Sequence, residues 1–239
     1  MAGGYHGIFE VLPEFLKRRI HPLEYAIRDF VRAAAAERPS LVVDAGAGES
    51  RFRPLFKDSW YVGIDRAVGD AAWNYGGLDA VADLEAIPLR PGVADAVLNT
   101  QVLEHVPDPA ATIREMARIL KPGGRLFLTA PQGWHEHQQP HDFFRFTRFA
   151  LEAMLRDGGF SSWEIDALGG FFHYLGHRLT YIPKVAFLDR RGLLRVLFYP
   201  LELLSMGLFC FVLPVACYYL DRLDSKREFT LGYSVRAVK

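Results

Sequence analysis

Apolar residues recur at two periods along this chain, and the switching between them outlines a fold. Leu23, Ala26, Ile27, Phe30, Val31 and Ala34 fall at helical spacing, which predicts an amphipathic helix over 23–36 that Pro39 closes. Short unbroken apolar runs follow: LVVDAG, WYVGID, DAVADL, DAVLNT and GRLFLTA. Each suits a strand buried on both faces, so together they point to a parallel sheet. Between them, Asp108 reads as an N-cap with Pro109 at the first helical position; Ile113, Met116, Ala117 and Leu120 share one face before KPGG stops the helix. A second helix is predicted from about Thr147 to Asp157, ended by Gly158-Gly159. SSWEIDAL and the alternating segment Glu228 to Lys239 read as the two late strands.

This order of elements fits one α/β domain over 1–239, with an N-terminal helical cap over 1–38 and a hydrophobic helical insertion over 169–227 between the last two strands. From Val196 to Leu220 the insertion carries one charge, Glu202, and is long enough for a membrane span. A single span would strand 228–239 on the far side of the bilayer from the sheet it should complete. Pro200 and Pro214 are expected to break the run into a hairpin of two shorter helices. Arg178, Lys184, Arg190, Arg191 and Arg195 flank it against Asp189 alone, a bias that suits an anionic membrane surface. The expectation is peripheral membrane contact through 171–220; a lid or a homodimer interface is the alternative use of the same apolar surface.

Charge narrows the partners. With 28 Lys plus Arg against 28 Asp plus Glu, the chain has no global footprint for nucleic acid, and none is expected as a partner. Cys210 and Cys217 sit in an apolar stretch and read as small hydrophobes in a reducing compartment, and MAGGYHGIFE has no export signal. The expected location is the cytoplasm, extending to the inner face of the membrane.

The chemistry concentrates at the strand ends. In LVVDAGAGES a strand ends in Asp44 and is followed by Gly46-Ala47-Gly48, glycines that permit a sharp turn and close approach of a ligand. Position 51 is Arg51 where a dinucleotide fingerprint wants a third glycine, which weakens a nicotinamide reading. Asp65 ends the next strand and can accept both hydroxyls of a ribose. Asp83 closes the third run, where an adenine amino group would lie if a nucleoside crossed the strand ends.

Taken in order, these residues resemble the class I S-adenosylmethionine-dependent methyltransferases, of the small type 11-like kind. DAGAGES is similar to the family's glycine-rich first motif, GID to its ribose-binding motif, and DLEAIPL to its adenine-side loop. NTQVLEHVPDP resembles its segment after the fourth strand, LKPGGRLFLTAP its fifth strand, and FRFTRFALEAMLRDGGF the helix beyond. The resemblance covers Leu41 to about Phe160 and implies a Rossmann-like, seven-stranded, mostly parallel sheet with an antiparallel last strand. It implies S-adenosylmethionine held over Gly46 and Gly48 with Asp65 on the ribose, Asp83 and Leu84 flanking adenine, and Gln101 and Leu103 near the methionine portion; Asp44, Ala47 and Arg66 complete the expected cofactor-binding residues. One departure is Arg66 to Gly77, short and broken by glycine where the family often has a full helix.

Methyl transfer from a sulfonium asks mainly for positioning of the acceptor; a base is needed only where the acceptor must lose a proton. His137 and His141 are the favoured candidates, with His105 a third that equally suits a structural hydrogen bond. The His and Asp spacing in WHEHQQPHD matches no common zinc pattern, so no metal site is assigned. The expected activity is methyl transfer to a small-molecule or lipid-linked acceptor. A catalytically silent cofactor-binding or membrane-scaffolding protein is the competing reading.

Overall fold

The computed structural model describes residues 11–70, 72–187 and 193–239. Within them the chain divides into two compact units, one of residues 27–167 with 232–239 and one of residues 11–26 with 168–231. Arg190, Arg191 and Asp189, and the Arg195 side chain, counted above in the basic flank, lie outside the described residues.

The first unit is a seven-stranded sheet in the order β3-β2-β1-β4-β5-β7-β6. Its strands are β1 (Leu41–Ala45), β2 (Trp60–Asp65), β3 (Ala80–Val81), β4 (Ala94–Thr100), β5 (Leu120–Pro131), β6 (Ser162–Ala167) and β7 (Gly232–Val238). The first five run parallel, and β7 lies antiparallel between β5 and β6. This is the expected mostly parallel sheet with an antiparallel final strand. The near-continuous apolar runs are explained by burial on both faces: Val42, Val43, Val97, Leu98, Leu126 and Leu128 are fully buried. The third strand is only two residues long, Ala80 and Val81, and its last residue pairs with Asp65 at the end of β2.

Helix α3 (Pro109–Ile119) starts as the sequence predicts, with Asp108 Oδ1 accepting from the Ala111 amide, and buries Ile113 and Met116 against the sheet. Helix α4 (Arg148–Asp157) is capped by Thr147 Oγ1 on the Ala150 amide. Strand order reverses between β1 and β4, so the loops leaving their C-terminal ends flank the crevice where ligands of open α/β sheets bind.

In the second unit, α1 (Glu14–Ile20) leads into α2 (Pro22–Ala36), whose later turns belong to the sheet unit and set Phe30 edge-on to Phe127. Helices α5 (Phe171–Leu179), α6 (Ile182–Phe187), α7 (Leu193–Met206) and α8 (Leu213–Leu220) follow β6. Asp221 and Asp224 return to cap α5: Asp221 accepts from the Gly170 and His173 amides, and Asp224 Oδ2 accepts from Phe171. The anticipated break at two prolines does not occur. Pro200 sits inside α7, and a wide π turn over Gly207–Val212 carries the helix into α8 with Pro214 in its first turn. The outcome is one helix, Leu197–Leu223, of 27 residues, whose most apolar 18-residue stretch has mean hydropathy 2.0, long and apolar enough to cross a membrane.

Candidate active site

At the crevice, Gly46 turns the chain out of β1 at φ 94°, a backbone conformation that side chains disfavour, and lies directly against Val102 in the loop after β4. The Gly46 and Ala47 amides both donate to the Ile64 carbonyl, tying the turn to the end of β2. The Gly48 amide donates to Asp65 Oδ2 at 2.9 Å, and the Ala67 amide donates to Asp65 Oδ1 at 2.8 Å. Each carboxylate oxygen keeps further lone pairs, so Asp65 can still accept from hydroxyls in front of it.

Asp44 is 1% exposed and cannot face a ligand openly. Tyr61 donates its hydroxyl to Asp44 Oδ2, while Oδ1 has no hydrogen-bond partner among the described residues. Burial pushes the Asp44 carboxyl up to about 6 against the lowering effect of that hydroxyl. Asn99 Nδ2 donates to the Ala45 carbonyl, bridging β4 to β1 beneath the crevice.

Other expected contacts separate into side chains that reach the surface and side chains that do not. Asp83 stands on an exposed turn and pairs with Arg66, the residue after Asp65, at 2.9 Å. Leu84 and Leu103 are core side chains, so only their backbone can border the crevice. Gln101 takes φ 54° and donates from Nε2 to Thr129 Oγ1, a strained position at a strand end of the kind that clusters at functional sites.

The histidines are sorted by the loop after β5. Asp142, with 2% of its side chain exposed, receives both terminal nitrogens of Arg145 at 2.7 and 2.8 Å and the His137 amide at 2.8 Å. Burial alone would raise its carboxyl, but Arg145 and the His137 amide outweigh that and hold it at about 2. Thus fixed, the loop brings His137 Nε2 to 3.1 Å from His105 Nε2. The His141 ring does not join them. It stands near Phe143, and its carbonyl accepts from His105 Nδ1 instead. Burial lowers the His105 pKa, keeping that ring neutral.

Glu104 is the residue sequence reasoning passed over. It lies in the 3-10 turn Leu103–His105, is fully buried, and neither carboxylate oxygen has a hydrogen-bond partner among the described residues. Burial pushes its carboxyl up to about 8. The available signal was an acidic residue two positions before Val106 and directly after Leu103, inside an apolar turn. By contrast, the groove at the opposite ends of the strands, lined by Leu41, Trp60, Val62, Leu89 and Val93, has Arg90 as its one charged lining residue.

Comparison with known proteins agrees with this geometry. A family model described as a methyltransferase domain matches residues 43–128, which span the glycine turn, Asp65, Asp83 and the 101–105 loop. A ubiquinone biosynthesis O-methyltransferase of Xanthomonas oryzae pv. oryzae is 54% identical over 52 residues, 22% of this chain and 21% of that protein. An uncharacterized methyltransferase of Mycobacterium bovis is 32% identical over 130 residues, 48% of this chain and 51% of the other. This chain therefore spans about a fifth of the first relative's length and about half of the second's. Among solved structures, a SAM dependent methyltransferase from Archaeoglobus fulgidus superposes with a TM-score of 0.55 at 15% identity, over 98% of this chain and 100% of that one. The chain has a Rossmann-like methyltransferase fold, and its residues 43–128 match a methyltransferase-domain family.

Proposed function

We propose that this chain transfers the methyl group of S-adenosylmethionine to a small-molecule or lipid-linked acceptor at a membrane surface. The observation that carries the reading is the Asp65 carboxylate, drawn against the Gly46 to Gly48 turn at the switch point of the sheet with acceptor capacity to spare. The residues present fit the cofactor. A Cβ at Gly46 would close the turn, Asp65 offers the acceptor pair a ribose diol needs, and Asp44 Oδ1 is a buried acceptor beneath the same turn.

When bound, the cofactor supplies a methyl group on a sulfonium, an electrophile that needs alignment more than activation. Asp65 would hold the ribose, Asp83 and Arg66 the adenine side, and Gln101 the methionine side. His105 and His137 stand after β4 and β5, at the strand ends where an acceptor would enter. Neutral His105, anchored through Nδ1 to the His141 carbonyl, presents Nε2 for a proton that the acceptor must lose.

The membrane part rests on the second unit alone. Leu197, Leu201, Leu204, Leu208 and Val212 recur at helical spacing and are all 40% exposed or more, so one apolar stripe faces outward. The segment leaves from β6 and returns to β7, which are hydrogen-bonded neighbours, so a single crossing is topologically excluded. That favours a helix lying in the membrane interface over a span. The experiment is transfer of labelled methyl from S-adenosylmethionine into fractions of a lipid extract and a water-soluble extract. Label in the lipid fraction supports the reading, label confined to the soluble fraction removes the lipid-linked acceptor, and no label in either argues for a silent binding protein.

A further inference from the structure

The loops after β4 and β5 converge on three side chains whose ligand atoms all lie within 4.8 Å of one another: Glu104, His105 and His137. We propose that they form a binding site for a divalent transition-metal ion of the zinc, cobalt or iron(II) class.

The argument starts from the protons. His105 Nδ1 faces the His141 carbonyl, a group that only accepts, so the Nδ1 hydrogen is committed there. His137 Nδ1 faces the His135 carbonyl at 3.1 Å and Asp142 Oδ2 at 3.4 Å, both acceptors again. With both rings holding their hydrogen on Nδ1, the two Nε2 lone pairs point at each other across 3.1 Å. Two acceptors at that distance repel unless a cation sits between them. A carbonyl or carboxylate on the far nitrogen is also the usual way a protein orients a metal-binding imidazole.

Glu104 makes the third ligand. Its Oε1 is 3.7 Å from His105 Nε2, it is wholly buried, and its oxygens have no hydrogen-bond partner among the described residues. Arg145, the cation whose charge acts on it, is already engaged by Asp142. A tetrahedral ion with ligand bonds of about 2.0–2.1 Å sets its ligand atoms about 3.3 Å apart, and the observed 3.1 and 3.7 Å bracket that spacing. Two imidazoles and one carboxylate select a borderline ion over magnesium, which prefers all-oxygen octahedral surroundings. Three protein ligands leave a fourth position for water. If the methyl-transfer reading holds, an acceptor hydroxyl would take that position, the ion would make it more acidic and its proton would leave to water, with His105 then a ligand and not the base.

The test is equilibrium titration of the purified, chelator-stripped full chain with cobalt(II), read by the visible absorption of the four-coordinate ion, and competed with zinc or magnesium. One equivalent should bind in the micromolar range or tighter. Zinc should displace it and millimolar magnesium should not. His105→Ala and His137→Ala should each weaken binding by at least about tenfold. The His137 ring is 24% exposed on a loop, so that variant carries the test should His105→Ala fail to fold. Unchanged binding in folded His137→Ala, equal competition by magnesium, or no binding by the folded wild type would each overturn the site. None of these readouts depends on methyl transfer, so failure of the metal site and failure of the methyltransferase reading remain distinguishable.

Discussion

A Cβ added to Gly46 would lie 2.4 Å from both methyl carbons of Val102, so the turn after β1 and the loop after β4 touch where no other residue than glycine fits. The clash meets a branched side chain close to its backbone, and φ 94° adds strain for any L residue. Gly46→Ala should therefore lower stability by about 1–3 kcal/mol and weaken cofactor binding. Chemical denaturation of the variant beside Gly46→Ala/Val102→Ala checks this: the second substitution should restore part of the loss, and equal losses would show that the contact is not the cause.

Asp44 predicts a pH dependence with an unusual sign. Its folded pKa of about 6 lies above the ordinary carboxylate value, so the neutral acid is favoured on folding and its contribution is lost as pH rises from about 4 to 6. At neutral pH the cost is on the order of 3 kcal/mol. Asp44→Asn should gain stability relative to wild type across that window and show a constant difference above it. A difference independent of pH would mean that Asp44 ionises freely.

Asp142 predicts the opposite slope. Its carboxyl, held at about 2, contributes stability above its unfolded pKa, and that contribution falls away as pH drops through about 2. Asp142→Asn should cost roughly 1 to 2 kcal/mol at neutral pH and less below pH 3. Because the same side chain holds the His137 amide, the variant should also broaden the His137 ring signals in NMR spectra. Sharp, unshifted His137 resonances would contradict the assigned role.

The outward stripe on the long helix predicts vesicle binding. Full-length chain should float with anionic vesicles, and Leu204→Glu with Leu208→Glu should abolish flotation while leaving the thermal midpoint within a few degrees, since both side chains are already exposed. A large fall in the midpoint would show that the stripe packs against protein.

The sheet was legible because its strands are buried on both faces, and continuous apolar runs such as LVVDA need no long-range information to be recognised. The cap at Asp108 was legible for a similar reason, since it acts on an amide three residues on. What escaped depended on distant residues. The continuation of the helix through Pro214 goes with a π turn directly before it that no local periodicity announces. The meeting of His105 with His137, while the His141 ring stands apart, is imposed by a loop that Asp142 and Arg145 fix across the β4 and β5 ends. Glu104 carried only a weak signal, an acidic residue inside an apolar turn; its burial without a partner among the described residues is what marks it.

The central claim is that the β1 turn and Asp65 hold S-adenosylmethionine, and calorimetric titration with S-adenosylhomocysteine tests it without knowledge of the acceptor. Wild type should bind in the micromolar range, Asp65→Ala should weaken binding by about 1–3 kcal/mol, roughly five- to 150-fold, and Asp65→Asn should fall between them. Absence of binding by the folded wild-type chain, or binding that Asp65→Ala leaves unchanged, would contradict the account.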